Sequence, residues 1–208
     1  MSLAIDHVIY ATADLDAAAA RFEEVYGLRS VKGGNHVEFG TGNRIVPLRN
    51  AYIELMGITD KERAASNALG QFIEALTEDG DRFFAFVVRT DELESHARRL
   101  GLEIMPGARQ KPDGSTISWR LAGLDRAMDD PSLPFFIQWS PGVQHPGTDP
   151  IEHPAKARAI SWIEVGALEP RLRAWVHHEP LPVRISDGEA GVRAVGVETP
   201  DGELVLRS

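Results

Sequence analysis

Three polar side chains interrupt stretches that otherwise read as buried strand. His7 lies between Ile5 and Ile9, and Glu54 between Tyr52 and Met56. Gln138 shares alternate positions with Phe136, while Phe135, Ile137 and Trp139 occupy the other set. Side chains alternate faces along a strand, so each polar residue is expected among apolar neighbours. A half-buried carboxylate is costly without a cation, a metal or several donors beside it. An imidazole and a carboxylate on neighbouring strands suit a divalent metal. Taken one at a time, a strand His is more often a hydrogen-bonded structural residue than a ligand, and a strand Glu is often a solvated edge residue.

Other chemistries find less support. The chain has no cysteine, which removes disulfides, thiolate nucleophiles and Cys-ligated zinc. A Gly-x-Ser-x-Gly nucleophile signature is absent. Gly40-Thr41-Gly42-Asn43 precedes no helix and reads as a hairpin turn rather than a phosphate loop. His145 and His153 sit in a Pro-rich loop that could fold over a pocket, although solvated loop histidines are commoner, and His96 reads as an exposed mid-helix residue. His177-His178 closes a short helix, where a cation meets the negative end of the helix dipole. The formal net charge is -9, with Lys and Arg scattered. Nucleic acid is therefore not expected as a partner, since phosphate binding needs a basic surface. No apolar run is long enough to span a membrane, and no leader-like segment opens the chain. The expected location is cytoplasmic, with no membrane partner.

The elements that must position these side chains repeat. Ile5 to Ala11 reads as a strand, Asp14 as an N-cap, and Leu15, Ala18, Ala19, Phe22, Val25 and Tyr26 recur at helical spacing up to Gly27. Strand candidates follow around Arg29–Lys32, around His36–Phe39 with Arg44–Leu48, and at Ala51–Gly57, with Gly33, Gly34, Gly40 and Gly42 as turns. Thr59 and Glu62 have capping-box spacing, and one amphipathic helix is expected from Thr59 to Gly80. The opening pattern then returns: Thr90, Leu93, Ala97, Arg99 and Leu100 match Thr12, Leu15, Ala19, Arg21 and Phe22 at constant spacing. Strands are expected around Leu102–Met105, Thr116–Leu121 and Pro134–Trp139. After the Pro-rich loop the order strand, helix, three strands comes once more. The expected units are a βαβββ module over 1–58, a connecting helix over 59–81, a second module over 82–140, a linker over 141–157 and a βαβββ-like module over 158–208. Self-similarity of this kind restricts fold choice more than any single motif. It predicts an α+β fold in which tandem βαβββ modules form curved mixed sheets around a concave pocket.

Leu3 to Tyr10 with Asp14-Leu15-Asp16 resembles the opening of a vicinal oxygen chelate module, and Tyr52 to Gly57 resembles its fourth strand. Gly34 to Asn43, Phe135 to Trp139 and His153-Pro154 resemble landmarks of a glyoxalase-like subfamily. That superfamily holds lyases, dioxygenases, epimerases, thiol transferases and drug-sequestering proteins. The resemblance implies metal ligands on the first and fourth strands of paired modules. Those positions are His7, Glu54, Ala85 and Gln138, of which Ala85 has no donor. His7, Glu54 and Gln138 are thus the expected metal ligands, for Mn, Fe, Ni or Zn. His36 and Asn43 are expected to touch substrate, with His36 as a replacement ligand if its register turns it inward. The implied activity is that of a glyoxalase-like enzyme on a small oxygenated molecule, by metal-assisted chelation and proton transfer. The alternative is a metal-free small-molecule binding protein of the same fold. A homodimer is left open.

Overall fold

The computed structural model describes residues 3–207. Met1, Ser2 and Ser208, at the outer ends of the first and third expected units, lie outside the described residues. The chain opens with β1 (Ala4–Ala11), α1 (Leu15–Tyr26), β2 (Val31–His36), β3 (Thr41–Leu48) and β4 (Ala51–Ile58). The Asp14 side chain accepts from the backbone N–H groups of Asp16 and Ala17. It thereby satisfies donors that the first helical turn leaves without partners.

The stretch expected as one helix is two: α2 (Lys61–Ala65) and α3 (Ala68–Thr77). Asn67 causes the break. Its side-chain oxygen accepts from the Gly70 N–H, and its amide nitrogen donates to the carbonyls of Arg63 and Phe39. One residue thus closes one helix, caps the next and ties both to the loop after β2. The second half continues with β5 (Arg82–Arg89), α4 (Leu93–Leu100), β6 (Ile104–Gln110), β7 (Thr116–Ala122), α5 (Leu124–Asp129) and β8 (Phe135–Trp139). Helix α5 lies between the expected strands Thr116–Leu121 and Pro134–Trp139, where no element was expected. The chain ends with β9 (Ala159–Gly166), α6 (Glu169–Trp175), β10 (Val183–Ser186), β11 (Gly191–Thr199) and β12 (Gly202–Arg207).

The first eight strands close into one barrel, in the order β1-β4-β3-β2-β6-β7-β8-β5. Each half pairs its first strand in parallel with its own fourth, β1 with β4 and β5 with β8. The halves join along two seams of unequal strength. The β1–β5 seam is a full antiparallel ladder, whereas β2 and β6 meet at the single pair Asn35–Gln110. The last four strands form a separate sheet in the order β10-β9-β11-β12. The element order of the earlier units recurs there, but the wiring does not, because β9 pairs in parallel with the strand that follows its helix.

Two apolar clusters organise this frame. Phe22, Phe86, Val88 and Phe136 pack with Ile163, Val192, Val195 and Leu206, joining the barrel exterior to the second sheet. Ile9, Met56, Leu69, Phe84, Leu121 and Phe135 form the other cluster. Among the described residues no helix is long and apolar enough to cross a membrane.

Candidate functional site

A small cavity, partly open to solvent, lies inside the barrel. Most of its wall is apolar. One end is polar and is built from His7, His36, Asn43, Tyr52, Glu54 and Arg109.

Strand geometry explains each placement. Tyr52, Glu54 and Met56 alternate along β4 and all face the cavity, as strand periodicity predicts. In β1 the alternation slips. The register against β5 shifts between Ile5 and His7, so Ile5 packs with Val8 and Tyr10 in the outer cluster. His7 and Ile9 face inward. The expected common face for Ile5, His7 and Ile9 is thus corrected by a bulge, which lets two consecutive residues oppose one. The same irregularity buries Asp6, whose carboxylate reaches His7 Nδ1 at 2.7 Å. Asp6 also accepts from Trp139 Nε1 at 3.0 Å and meets His145 Nε2 at 3.0 Å. His145 Nδ1 accepts the Gly147 N–H, so the proton of that ring lies on Nε2 and points at Asp6.

On its other side His7 Nε2 lies 3.4 Å from a Glu54 oxygen. Its ring stacks on Tyr52, with centroids 4.4 Å apart and planes at 13°. Glu54 accepts a further hydrogen bond of 2.5 Å from the Asn43 amide. Asn43 stands diagonal to Glu54 across β3 and β4, within cross-strand reach. Arg109 donates to the Asn43 oxygen at 3.1 Å. His36 Nε2 is 3.8 Å from Glu54, and its Nδ1 is 3.0 Å from the Thr41 hydroxyl across the β2–β3 hairpin. The structure therefore brings His7, Glu54, His36 and Asn43 together.

Gln138 is not with them. The pair Arg120–Gln138 lies on the opposite face of β7 and β8, where Gln138 takes a hydrogen bond from Arg120 and donates to the Asp91 carbonyl. Phe135, Ile137 and Trp139 are the β8 residues that face the cavity. The expectation of Gln138 as a ligand is corrected by this strand parity.

Burial alone would neutralise these charges, and their contacts decide otherwise. Desolvation pulls His7 down, but its hydrogen bonds and charge pairs with Asp6 and Glu54 outweigh it and raise its pKa to about 9. Burial likewise pushes Glu54 up. The hydrogen bond and charge of His7, with His36 and Asn43, outweigh that and hold Glu54 at about 2. Asp6 is also held well below the usual carboxylate range, its burial offset by His145 and His7. His36 goes the other way: burial lowers it, and the charge of Glu54 offsets this only in part. Burial and the charges of Asp6 and Glu54 raise Tyr52 well above an ordinary phenol. At neutral pH the site is an imidazolium held between two carboxylates, with a neutral imidazole beside it.

The metal implied by the resemblance can be tested against this donor set. An imidazolium has no lone pair to give a metal. Its nitrogens are committed to Asp6 and Glu54, and Gln138 is outside. Among the described residues no group of three or more His, Asp or Glu side chains is arranged to hold a metal ion. As placed, the residues do not present three donors to one ion, although His36 does turn inward as its replacement role requires, its Nε2 3.8 Å from Glu54.

Sequence reasoning missed Asp6, Arg109 and His145. The strand pattern singles out neither Asp6 nor Arg109, and Arg109 lies outside the expected strands; a bulge and the glycine-lined gap described below turn them inward. The Pro-rich loop is no free linker. It carries a 3-10 turn at Pro146–Thr148 and straps the barrel, through His145 to Asp6 and through His153, which meets the Pro47 carbonyl at 2.7 Å and accepts from Arg29 N–H. His145 and His153 are thus not solvated. His96 is buried as well, stacked on Phe136 with centroids 5.0 Å apart.

Among curated proteins none matches the chain. Solved structures do. A hypothetical protein from Staphylococcus aureus aligns at a TM-score of 0.64 with 18% identity, over 99% of this chain and 85% of that one. Methylmalonyl-CoA epimerase from Mycobacterium tuberculosis aligns at 0.46 with 22% identity, over 67% of this chain and 89% of that one. The Streptomyces coelicolor methylmalonyl-CoA epimerase in complex with 2-nitronate-propionyl-CoA aligns at 0.47 with 22% identity, over 70% and 100%. The profile described as a glyoxalase-like domain matches residues 5–181, a span that holds every strand of the barrel and every residue of the polar cluster. The chain belongs to the glyoxalase-like domain family.

Proposed function

We propose that this protein is an enzyme that moves a proton on a small, largely apolar carbonyl compound, with His7 and Glu54 as the acid–base pair. One observation carries the reading. A single buried imidazole lies in line between Asp6 and Glu54, at the polar end of a cavity whose remaining walls are apolar. Coupled groups whose environments push their pKa values apart suit acid and base roles.

The step balances without a metal. Glu54 accepts a proton from carbon beside the substrate carbonyl. The C–H electron pair becomes the enolate double bond, and the carbonyl oxygen takes the charge. His7 Nε2 donates its proton to that oxygen, giving the enol. Reversal with delivery to either face or either carbon gives epimerisation or isomerisation. In the resting state Glu54 is a weak base because His7 carries charge beside it. As the imidazolium gives up its proton, that restraint is removed and Glu54 becomes more basic. The two transfers therefore assist each other. Asp6 keeps His7 in orientation, since Trp139 and His145 hold it as an anion. His36 and Asn43 line the same end and can meet substrate oxygens.

The test is exchange of acidic C–H protons in D₂O, followed by NMR over 2-oxo acids, hydroxyketones and aryl ketones. Wild type should catalyse exchange for a member that it binds. His7→Asn and Glu54→Gln should each lower that rate roughly 10²–10⁴-fold. If bound carbonyl compounds exchange no faster than in buffer, the protein is a binding protein and the enzymatic reading fails.

A further inference from the structure

Arg109 is a cation at the polar end of a mostly apolar cavity, and it is 5% exposed. Buried arginine is rare unless paired. Among the described residues its Nε–H has no hydrogen-bond partner, and its side chain donates instead to a neutral amide, Asn43. Among the described residues no carboxylate forms an ion pair with it; Glu54 is engaged by His7 and Asn43.

The chain makes room for this side chain. A Cβ on Gly33 would stand 2.6 Å from the guanidinium and 2.0 Å from the Asn43 oxygen. A Cβ on Gly34 would stand 2.0 Å from the Gln110 carbonyl. Two successive glycines thus leave a gap in β2 where the β2–β6 seam is reduced to one pair, and Arg109 occupies it. A planar fork of N–H donors in a dry site matches a carboxylate, which accepts from two of them at once. Around the rest of the cavity Phe84, Trp119, Leu121, Phe135 and Trp139 offer rings and branched chains. Such walls take a ring by offset or edge contact.

We infer that the cavity recognises a small monocarboxylate with an apolar body, its carboxylate on Arg109 and its body against the apolar wall that includes Trp119 and Trp139. This rests on the proposed function for the reaction, but not for binding. It adds that the substrate of the His7–Glu54 pair is an anion, oriented by Arg109 so that its reactive carbon faces Glu54.

The experiment compares phenylacetate, phenylacetamide and acetate by calorimetry and by quenching of tryptophan fluorescence, on the full chain. Phenylacetate should bind at least about tenfold more tightly than the amide, the size expected of a charge-assisted contact in a dry site. It should also bind more tightly than acetate, which lacks the apolar body. Arg109→Met should remove the preference for carboxylate over amide, and Arg109→Lys should restore part of it. Equal affinity of wild type for phenylacetate and phenylacetamide overturns the inference without relying on any variant, as does no binding of phenylacetate at millimolar concentration. Binding and exchange are read separately on wild type. Carboxylate binding without exchange therefore supports this inference and sinks the enzymatic reading. Exchange on carbonyl compounds with no carboxylate preference does the reverse.

Discussion

At the scale of single residues, the account turns on the proton of His7. Its folded pKa of about 9 exceeds the ordinary 6.5. The folded state thus binds this proton more tightly than the unfolded chain does. The resulting stability is complete below about pH 6.5 and is lost as pH rises through 9. Glu54, held at about 2 against 4.5, contributes stability above pH 4.5 that is lost as pH falls toward 2. His36, neutral and depressed, adds a further loss on the acid side below 6.5. Thermal melts from pH 6.5 to 9.5 should therefore show wild type losing more stability than His7→Asn, by at most about 3 kcal/mol. Parallel curves would show that His7 is neutral in the folded protein. Glu54→Gln should leave the imidazolium short of one partner and cost about 3–5 kcal/mol at pH 7, measured by urea unfolding. His7, His36, Asn43 and Glu54 were legible because each is a polar residue set in an apolar strand or a glycine-rich hairpin. Asp6 was not, because its inward turn depends on a bulge that only pairing with β5 creates.

At the scale of elements, glycine spacing and strand parity decide what enters the cavity. Gly33 and Gly34 read as turn residues, yet they lie within β2 and make the gap for Arg109. Gly33→Ala should displace Asn43 and Arg109 and cost about 1–3 kcal/mol, as overpacking does. Measured by chemical denaturation, an unchanged midpoint would show that the gap has slack. Gln138 illustrates the converse limit. Strand β8 is covered on both sides, by the cavity and by packing against His96 and Trp175. A strand buried on both faces carries apolar residues at both parities, so local pattern does not say which face lines the barrel. The split between α2 and α3 was likewise hidden, since a helical apolar stripe continues across Asn67.

At the scale of the whole molecule, repetition in sequence made the fold class readable. The constant spacing of matching helix and strand residues points to tandem units, and the two halves do close one barrel. Barrel closure itself was not readable, nor was the wiring of the last four strands, because element order is silent on which edges pair. The shared cluster of Phe86, Phe136, Val195 and Leu206 couples that sheet to the barrel. Calorimetry should therefore show one unfolding transition. Phe86→Ala should shift it down as a unit, by about 3–5 kcal/mol of stability. Two separated transitions would mean that the sheets are independent.

The central claim is that the cavity holds an imidazolium committed to Asp6 and Glu54 rather than a metal-ligating imidazole. The most direct measurement is ¹⁵N NMR of histidine-labelled protein, titrated from pH 5 to 10 with and without stoichiometric zinc. The account predicts that both nitrogens of His7 carry protons at pH 7, that the ring titrates near pH 9, and that zinc leaves its resonances in place. A neutral His7 at pH 7 with a bare Nε2 that shifts on adding zinc would contradict it.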